Sequence, residues 1–170
     1  MQNVLLVDGY NIIGAWPELR ALKDRDLSAA RDILLEKMAE YRAYMDYRVI
    51  VVFDAHLVEG IEKKDLSYKV EVIFTRENET ADERIEKLAQ SLNNIKTQIH
   101  VATSDFTEQW AIFGQGALRK SARELRNEML EIEKNINRDV KGIQERKPIS
   151  RIQLSDEVIK IFEKWRRGES

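Results

Sequence analysis

Four aspartates stand at the ends of apolar runs or at the opening of a helix. Asp8 follows Val4-Leu5-Leu6-Val7, Asp54 follows Arg48-Val49-Ile50-Val51-Val52-Phe53, Asp105 follows Gln98-Ile99-His100-Val101-Ala102-Thr103-Ser104, and Asp82 sits just inside Thr80-Ala81-Asp82-Glu83. Taken singly, each has an ordinary explanation. Asp8-Gly9 makes a turn after a strand, and an acid in a first helical turn is favoured by the macrodipole by about 0.3–1 kcal/mol. Taken together they suggest a site, because ligands of an open α/β sheet bind outside the carboxyl ends of its strands. All four acids would then share one edge. Carboxylates crowded on one rim repel one another, and a divalent cation offsets that repulsion. Oxygen donors without cysteine, and with only two scattered histidines, favour Mg²⁺ or Mn²⁺ over zinc. Such ions commonly bind substrate phosphates, so the chemistry indicated is phosphoryl transfer. Gly9 permits the sharp turn beside Asp8, and Asn11 adds an amide able to orient a carboxylate, a water or a phosphate.

The elements that must hold these residues can be placed from periodicity. Val4–Val7 is an unbroken apolar run of the kind buried on both faces, Arg48–Phe53 is a second such strand with its apolar run over Val49–Phe53, and Tyr68–Phe74 alternates like a half-covered edge strand. Gln98–Thr103 is another strand, and Ala117–Lys120 a short last one. Ile12–Pro17 is expected to be a packed loop, since Gly14 and Pro17 oppose a long helix. Ala30, Leu34, Met38, Tyr41 and Met45 form one helical face within Leu27–Met45. Thr80 with Glu83 and Ser121 with Glu124 are capping boxes. The first opens a helix with apolar Ala81, Ile85, Leu88, Ala89 and Leu92; the second opens one through Leu125, Met129, Ile132 and Ile136. A short helix is expected over Glu108–Phe113, ended by Gly114-Gln115-Gly116. Lys141–Arg151, with Pro148, reads as a basic loop, and Ser155 caps a final helix bearing Val158, Ile161, Phe162 and Trp165. Alternating strands and helices predict an α/β fold of three layers, a central, mostly parallel five-stranded sheet flanked by helices with a C-terminal helical extension.

The 170 residues, 43% hydrophobic, suffice for a single domain, with a core over about 1–138 and the basic loop and last helix over 139–170. Cysteine is absent, which removes disulfides, thiolate metal sites and a cysteine nucleophile. No signal-peptide pattern and no run of roughly 20 apolar residues is present, so a cytoplasmic protein without a membrane partner is expected. Gly-x-Gly-x-x-Gly, the P-loop and Gly-x-Ser-x-Gly are all missing, which argues against a nucleotide cofactor and a serine-hydrolase elbow. The formal charge of −2 opposes a generally basic nucleic-acid binder. Bases outnumber acids locally between Arg119 and Arg151, and Arg119, Lys120 and Arg123 suit contacts to a phosphate backbone as well as they suit a solvated helix face. Tyr10 suits stacking on a base, and Trp16 suits the core. Ser104 and Thr103 fit two roles, hydrogen-bonding a phosphate or capping the helix that follows. His56 and His100 read as structural.

Asp8-Gly9-Tyr10-Asn11, Phe53-Asp54-Ala55, Thr80-Ala81-Asp82-Glu83 and Thr103-Ser104-Asp105 together resemble the NYN domain, a branch of the PIN-like nucleases. The similarity continues through Gly114–Arg119 and Ser121–Leu125 and is specifically to the bacterial YacP-like proteins, over nearly the whole chain. That resemblance implies a metal-dependent endoribonuclease whose partners are mRNA and the ribosome, acting at the A site. It assigns catalytic roles to Asp8, Asn11, Asp82 and Asp105 and metal-ligand roles, with Mg²⁺ or Mn²⁺, to Asp8, Asp82 and Asp105 and to Asp54, which matches a strand-end acid at which NYN members differ. Arg119, Lys120, Arg123, Ser104 and Tyr10 are the expected RNA contacts. In-line attack by an activated water would leave 5′-phosphate and 3′-hydroxyl ends. Two rivals exist. A phosphatase with Asp8 as nucleophile wants an acid where Tyr10 stands. The other rival is a non-catalytic RNA- or ribosome-binding module of the same fold.

Overall fold

The computed structural model describes residues 1–55, 70–104, 111–150 and 166, with the backbone alone at 111–112 and 141–150. Asp105, His56, the start of the expected short helix at 108–110, and the expected final helix with its Ser155 cap and Trp165 lie outside the described residues.

The first strand is the centre of the sheet. β1 (Gln2–Asp8) pairs in parallel with β2 (Arg48–Phe53) on one side and with β4 (Thr97–Ala102) on the other. β3 (Glu71–Phe74) and β5 (Leu118–Lys120) are the outer strands, giving five strands in the order β3-β2-β1-β4-β5. Every pairing is parallel. Such a sheet must be covered on both faces. Leu5 and Val7 point into one apolar layer with Ile12, Ile13, Leu34, Met38 and Leu125, while Val4 and Leu6 pack on the other side against Ala81, Ile85 and Ala89. This alternation explains why the β1 run is apolar without interruption. The chain leaves β1 towards β2 and later returns beside it as β4, so the order of strands reverses at β1, where a crevice for a ligand is expected.

Helices α1 (Gly9–Ala15) and α2 (Pro17–Lys23) replace the packed loop expected after Asn11. Gly14 and Pro17 do prevent one long helix, but Pro17 does so by opening a second, since its fixed φ suits the first helical position. Trp16 is the hinge between the two helices. It is fully buried, and its indole Nε1–H donates at 2.8 Å to the carbonyl of Ala122, the residue that opens the helix Ala122–Ser150. α3 (Leu27–Met45) follows, capped by Asp26, and returns the chain to β2. α4 (Ala81–Leu92) begins as its capping box requires, with Glu83 N–H donating to Thr80 Oγ1 at 3.2 Å. α5 (Ala111–Gly114) precedes β5. α6 (Ala122–Ser150) opens with Glu124 N–H donating to Ser121 Oγ at 3.0 Å. It continues to Ser150, through the described part of the expected basic loop, a correction to the sequence reading: Lys141, Gln144, Glu145, Arg146 and Lys147 are all good helix formers, and the helix runs past Pro148. Met1–Ile132 form one compact unit and Glu133–Ser170 a second.

Gly9 is dictated by packing. A Cβ placed there would stand 2.3 Å from Cε1 of Phe53, whose side chain is wholly buried. Gly9→Ala is therefore expected to lower stability by about 1–3 kcal/mol, the range for overpacking a closed core. Chemical denaturation of the two proteins measures it, and an unchanged midpoint would show that Phe53 swings away at no cost.

Candidate active site

Asp8 is the last residue of β1 and the first boundary of α1, with extended backbone angles (φ −78°, ψ 93°). The residue is only 7% exposed, at the carboxyl end of the central strand. Continuous strand pairing holds the backbone up to this residue, and the absence of a side chain at position 9 lets α1 start at once beneath Phe53. Asn11 lies less than one helical turn further on. Its Oδ1 accepts from Ser104 Oγ at 2.7 Å, from Thr103 Oγ1 at 3.3 Å and from the Ser104 backbone N–H. Three donors on one atom identify it as the amide oxygen and leave the Asn11 Nδ2 for the site. An amide N–H₂ donates and does not ligate a cation. Asn11 thus orients an acceptor, and it also ties the end of β4 to the first turn after β1.

The helix-opening acid reaches the same edge by another route. β3 ends at Phe74, and the following loop brings Thr80 to the N-cap of α4, so Asp82 occupies its first turn, half-buried. Asp54 follows β2, also half-buried, close enough to Tyr10 for its charge to be felt. The structure therefore brings the ends of β1, β2 and β4 and the start of α4 to one rim, with Asp8, Asn11, Asp54, Asp82, Thr103 and Ser104 upon it. Asp105 follows Ser104 directly in sequence.

Among the described residues no group of three or more His, Cys, Asp or Glu stands at metal-binding distances. The donor chemistry nevertheless suits a hard divalent ion. Asp8 and Asp82 offer carboxylate oxygens, and Glu86, one turn beyond Asp82 on the same helix, has a buried Oε1 without a hydrogen-bond partner among the described residues.

The candidate RNA contacts divide into two groups. Arg119 and Arg123 are exposed at β5 and the first turn of α6. Lys120 is instead turned inward, its ammonium paired with Glu128 and its side chain only 15% exposed; Tyr41 donates to the other oxygen of that carboxylate at 2.8 Å. Tyr10 packs its ring on Phe53, with centroids 5.0 Å apart, and its hydroxyl accepts from Arg31 Nη1 at 3.0 Å. Burial pushes the Tyr10 phenol up, against the Arg31 guanidinium, which pulls it down. Ser104 is held by Asn11. Arg31, a cation on α3 beside Tyr10, escaped sequence reasoning because it lies on the polar side of an amphipathic helix, where charge is ordinary. His100 is half-buried inside β4 with Nε2 3.3 Å from Asn3 Oδ1, a structural place.

Glu79 was equally unremarkable in the sequence. It is 6% exposed in the loop before α4, accepting from Arg84 Nε at 2.6 Å and Lys87 Nζ at 2.8 Å. The Lys87 ammonium, then the Arg84 guanidinium, hold its carboxyl far below the ordinary value of 4.5, at about 2. A depressed folded-state pKa contributes stability that is complete above the unfolded value and disappears as pH falls towards the folded one. Between about pH 4.5 and 2 the native chain is thus expected to lose stability that a Glu79→Gln variant does not lose there, as thermal melts across that window would report. Parallel curves for the two proteins would mean that the pair persists in the unfolded state or contributes nothing.

Residues 5–167 match the family model of the YacP-like NYN domain. The chain belongs to the YacP-like NYN family. Its sequence is 68% identical, over 167 residues and 98% of each chain, to the uncharacterised protein YacP of Bacillus subtilis strain 168. The crystal structure of Rae1 (YacP) from Bacillus subtilis superimposes with a TM-score of 0.78 at 69% identity, covering 98% of this chain and 95% of that one. A tryptophan-to-leucine mutant of Rae1 gives a TM-score of 0.75 at 64% identity, covering 99% and 97%. The YacP-like assignment spans both compact units, and among the described residues no helix is long and apolar enough to cross a membrane.

Proposed function

We propose that this protein is a metal-dependent endoribonuclease that cleaves mRNA, on the translating ribosome at the A site. The observation that supports the reading is the topology of a YacP-like NYN sheet: Asp8 ends the central strand, where strand order reverses, Asn11 is knotted to the end of β4, and α4 opens with Asp82 after β3. Asp8 and Asp82 would hold Mg²⁺, with Asp105 as the expected third acid and Asp54 nearby. When bound, the ion supplies positive charge at the scissile phosphate and acidifies a water for in-line attack. Asn11 Nδ2 donates to the phosphate or to a ligand carboxylate and so orients it. Arg31, Arg119 and Arg123 attract the polyanion towards an edge that would otherwise repel it. Expulsion of the 3′ oxygen leaves 5′-phosphate and 3′-hydroxyl ends.

The test is a reconstituted translation system with Mg²⁺, in which a translated message is incubated with native protein, Asp8→Asn or Asp82→Asn, with ribosomes omitted in a parallel reaction. A native-only cut that needs ribosomes supports the whole reading. A cut without ribosomes removes the A-site element. If the native protein binds ribosomes and leaves the message intact, the non-catalytic binding module of the same fold replaces the nuclease.

A further inference from the structure

On the flank of α4 a groove of about 320 Å³ is lined by Arg76, Glu79, Arg84, Lys87, Leu88 and Ser91. Three of these side chains are cations and one is an acid, so the walls carry a surplus of two positive charges in a chain whose formal net charge is −2. The acid is buried and accepts from Arg84 and Lys87 together. Glu79 thereby fixes the directions of both cations before any ligand arrives, and preorganisation of this sort lowers the cost of binding. The pairing engages only Nε of Arg84, and a guanidinium has two further Nη groups to offer. Lys87 remains 68% exposed, and Arg76 lies at the surface. Positive charge lining a concave wall concentrates anions there.

Its place in the fold selects among anions. Arg76 belongs to the loop leaving β3, one outer strand, whereas Arg119 lies on β5, the other. Four strand spacings separate them, about 19 Å at roughly 4.8 Å each. Asp8 stands between, on the central strand, and Asp82 shares α4 with the groove. An extended polyanion crossing the candidate active site from the β5 flank would emerge beside Arg76.

We propose that the groove of Arg76, Arg84 and Lys87 holds a backbone phosphate of the RNA substrate on the β3 side of the cleavage site. The proposal rests on the nuclease reading above and adds the path of the strand. Glu79 is the positioning residue of this subsite.

The experiment measures binding of a fluorescent, mixed-sequence single-stranded RNA, naked and as message on programmed ribosomes, to the full-length chain carrying Asp8→Asn so that the RNA survives. Arg76→Gln with Lys87→Gln is compared with Lys96→Gln, which lies in the turn before β4 at the amino end of the sheet. The double variant keeps the Arg84–Glu79 pair and is expected to melt with its parent. Its affinity should fall about tenfold, and the dependence of log affinity on log salt should flatten by about one to two. Lys96→Gln should change neither. Equal affinity and slope in the double variant overturn the groove while leaving the nuclease reading in place. If the parent binds RNA in neither setting, the nuclease reading falls and the groove with it.

Discussion

Asp8→Asn is expected to abolish RNA cleavage while leaving the fold intact. The substitution keeps size and shape and removes the charge from a residue that is 7% exposed at the carboxyl end of the central strand. The neighbouring strands are fixed by backbone pairing through Asp8 and Val52, which the side chain does not enter. Loss of a charge that anchors a catalytic cation removes several kcal/mol of transition-state stabilisation. At about 1.4 kcal/mol per tenfold, the rate should fall by at least about 10³. Single-turnover cleavage of end-labelled RNA gives the rate, and circular dichroism with a thermal melt gives the fold. Asp82→Asn should behave in the same way, since α4 brings it to the same edge. A folded Asp8→Asn protein cutting at the native rate would remove Asp8 from the chemistry and with it the metal site. A variant that failed to fold would instead show that the carboxylate holds the end of β1 in place.

The second large effect is expected at Asn11, and it combines stability with activity. Truncation to alanine removes the acceptor shared by the Ser104 N–H, the Ser104 hydroxyl and the Thr103 hydroxyl. A typical intramolecular hydrogen bond contributes about 0.5–1.5 kcal/mol net, and three are lost here, so about 2–4 kcal/mol is expected for Asn11→Ala. For a chain of this size that is a fall in Tm of roughly 5–15 °C. Cleavage should fall as well, because the link between α1 and the end of β4 positions both sides of the crevice. Asn11→Asp separates the two roles. It restores an acceptor for the three donors and removes the Nδ2 donor while adding a negative charge to an acidic rim. Its Tm should return to near the native value while cleavage stays low. Recovery of both in Asn11→Asp would show that Asn11 acts only as a strut.

Much of this architecture was legible in the sequence because the forces that create it are local. The unbroken runs of β1 and β2 can be satisfied only by burial on two faces, which by itself requires a parallel sheet wrapped by helices. Thr80 with Glu83 and Ser121 with Glu124 mark helix starts within four residues, and the hydrogen bonds stand where those pairs place them. Gly9 beside Asp8 likewise announced a tight corner, although the ring that demands it, Phe53, is distant in sequence. Proline is the misleading residue in this sequence. Pro17 starts α2, because a first helical position needs no intrahelical N–H bond, and α6 runs past Pro148.

The site was legible in part, through acids recurring at strand ends. What a linear reading lacks is the partner of each polar group. Lys120 and Arg119 are adjacent and chemically alike, yet Glu128 draws one inward while the other faces solvent. Ser104 looks like a phosphate contact until Asn11, 93 residues earlier, is found to hold it. Glu79 looks like one more loop acid, but the fold buries it beneath Arg84 and Lys87 and makes it the anchor of a basic groove. Periodicity and capping are set by interactions over a few residues, so the sequence by itself determined the strands, their alternation with helices and the starts of α4 and α6. Which polar groups pair with one another, and so which remain to meet a substrate, depends on contacts between residues far apart in the chain, and only the tertiary structure decided that.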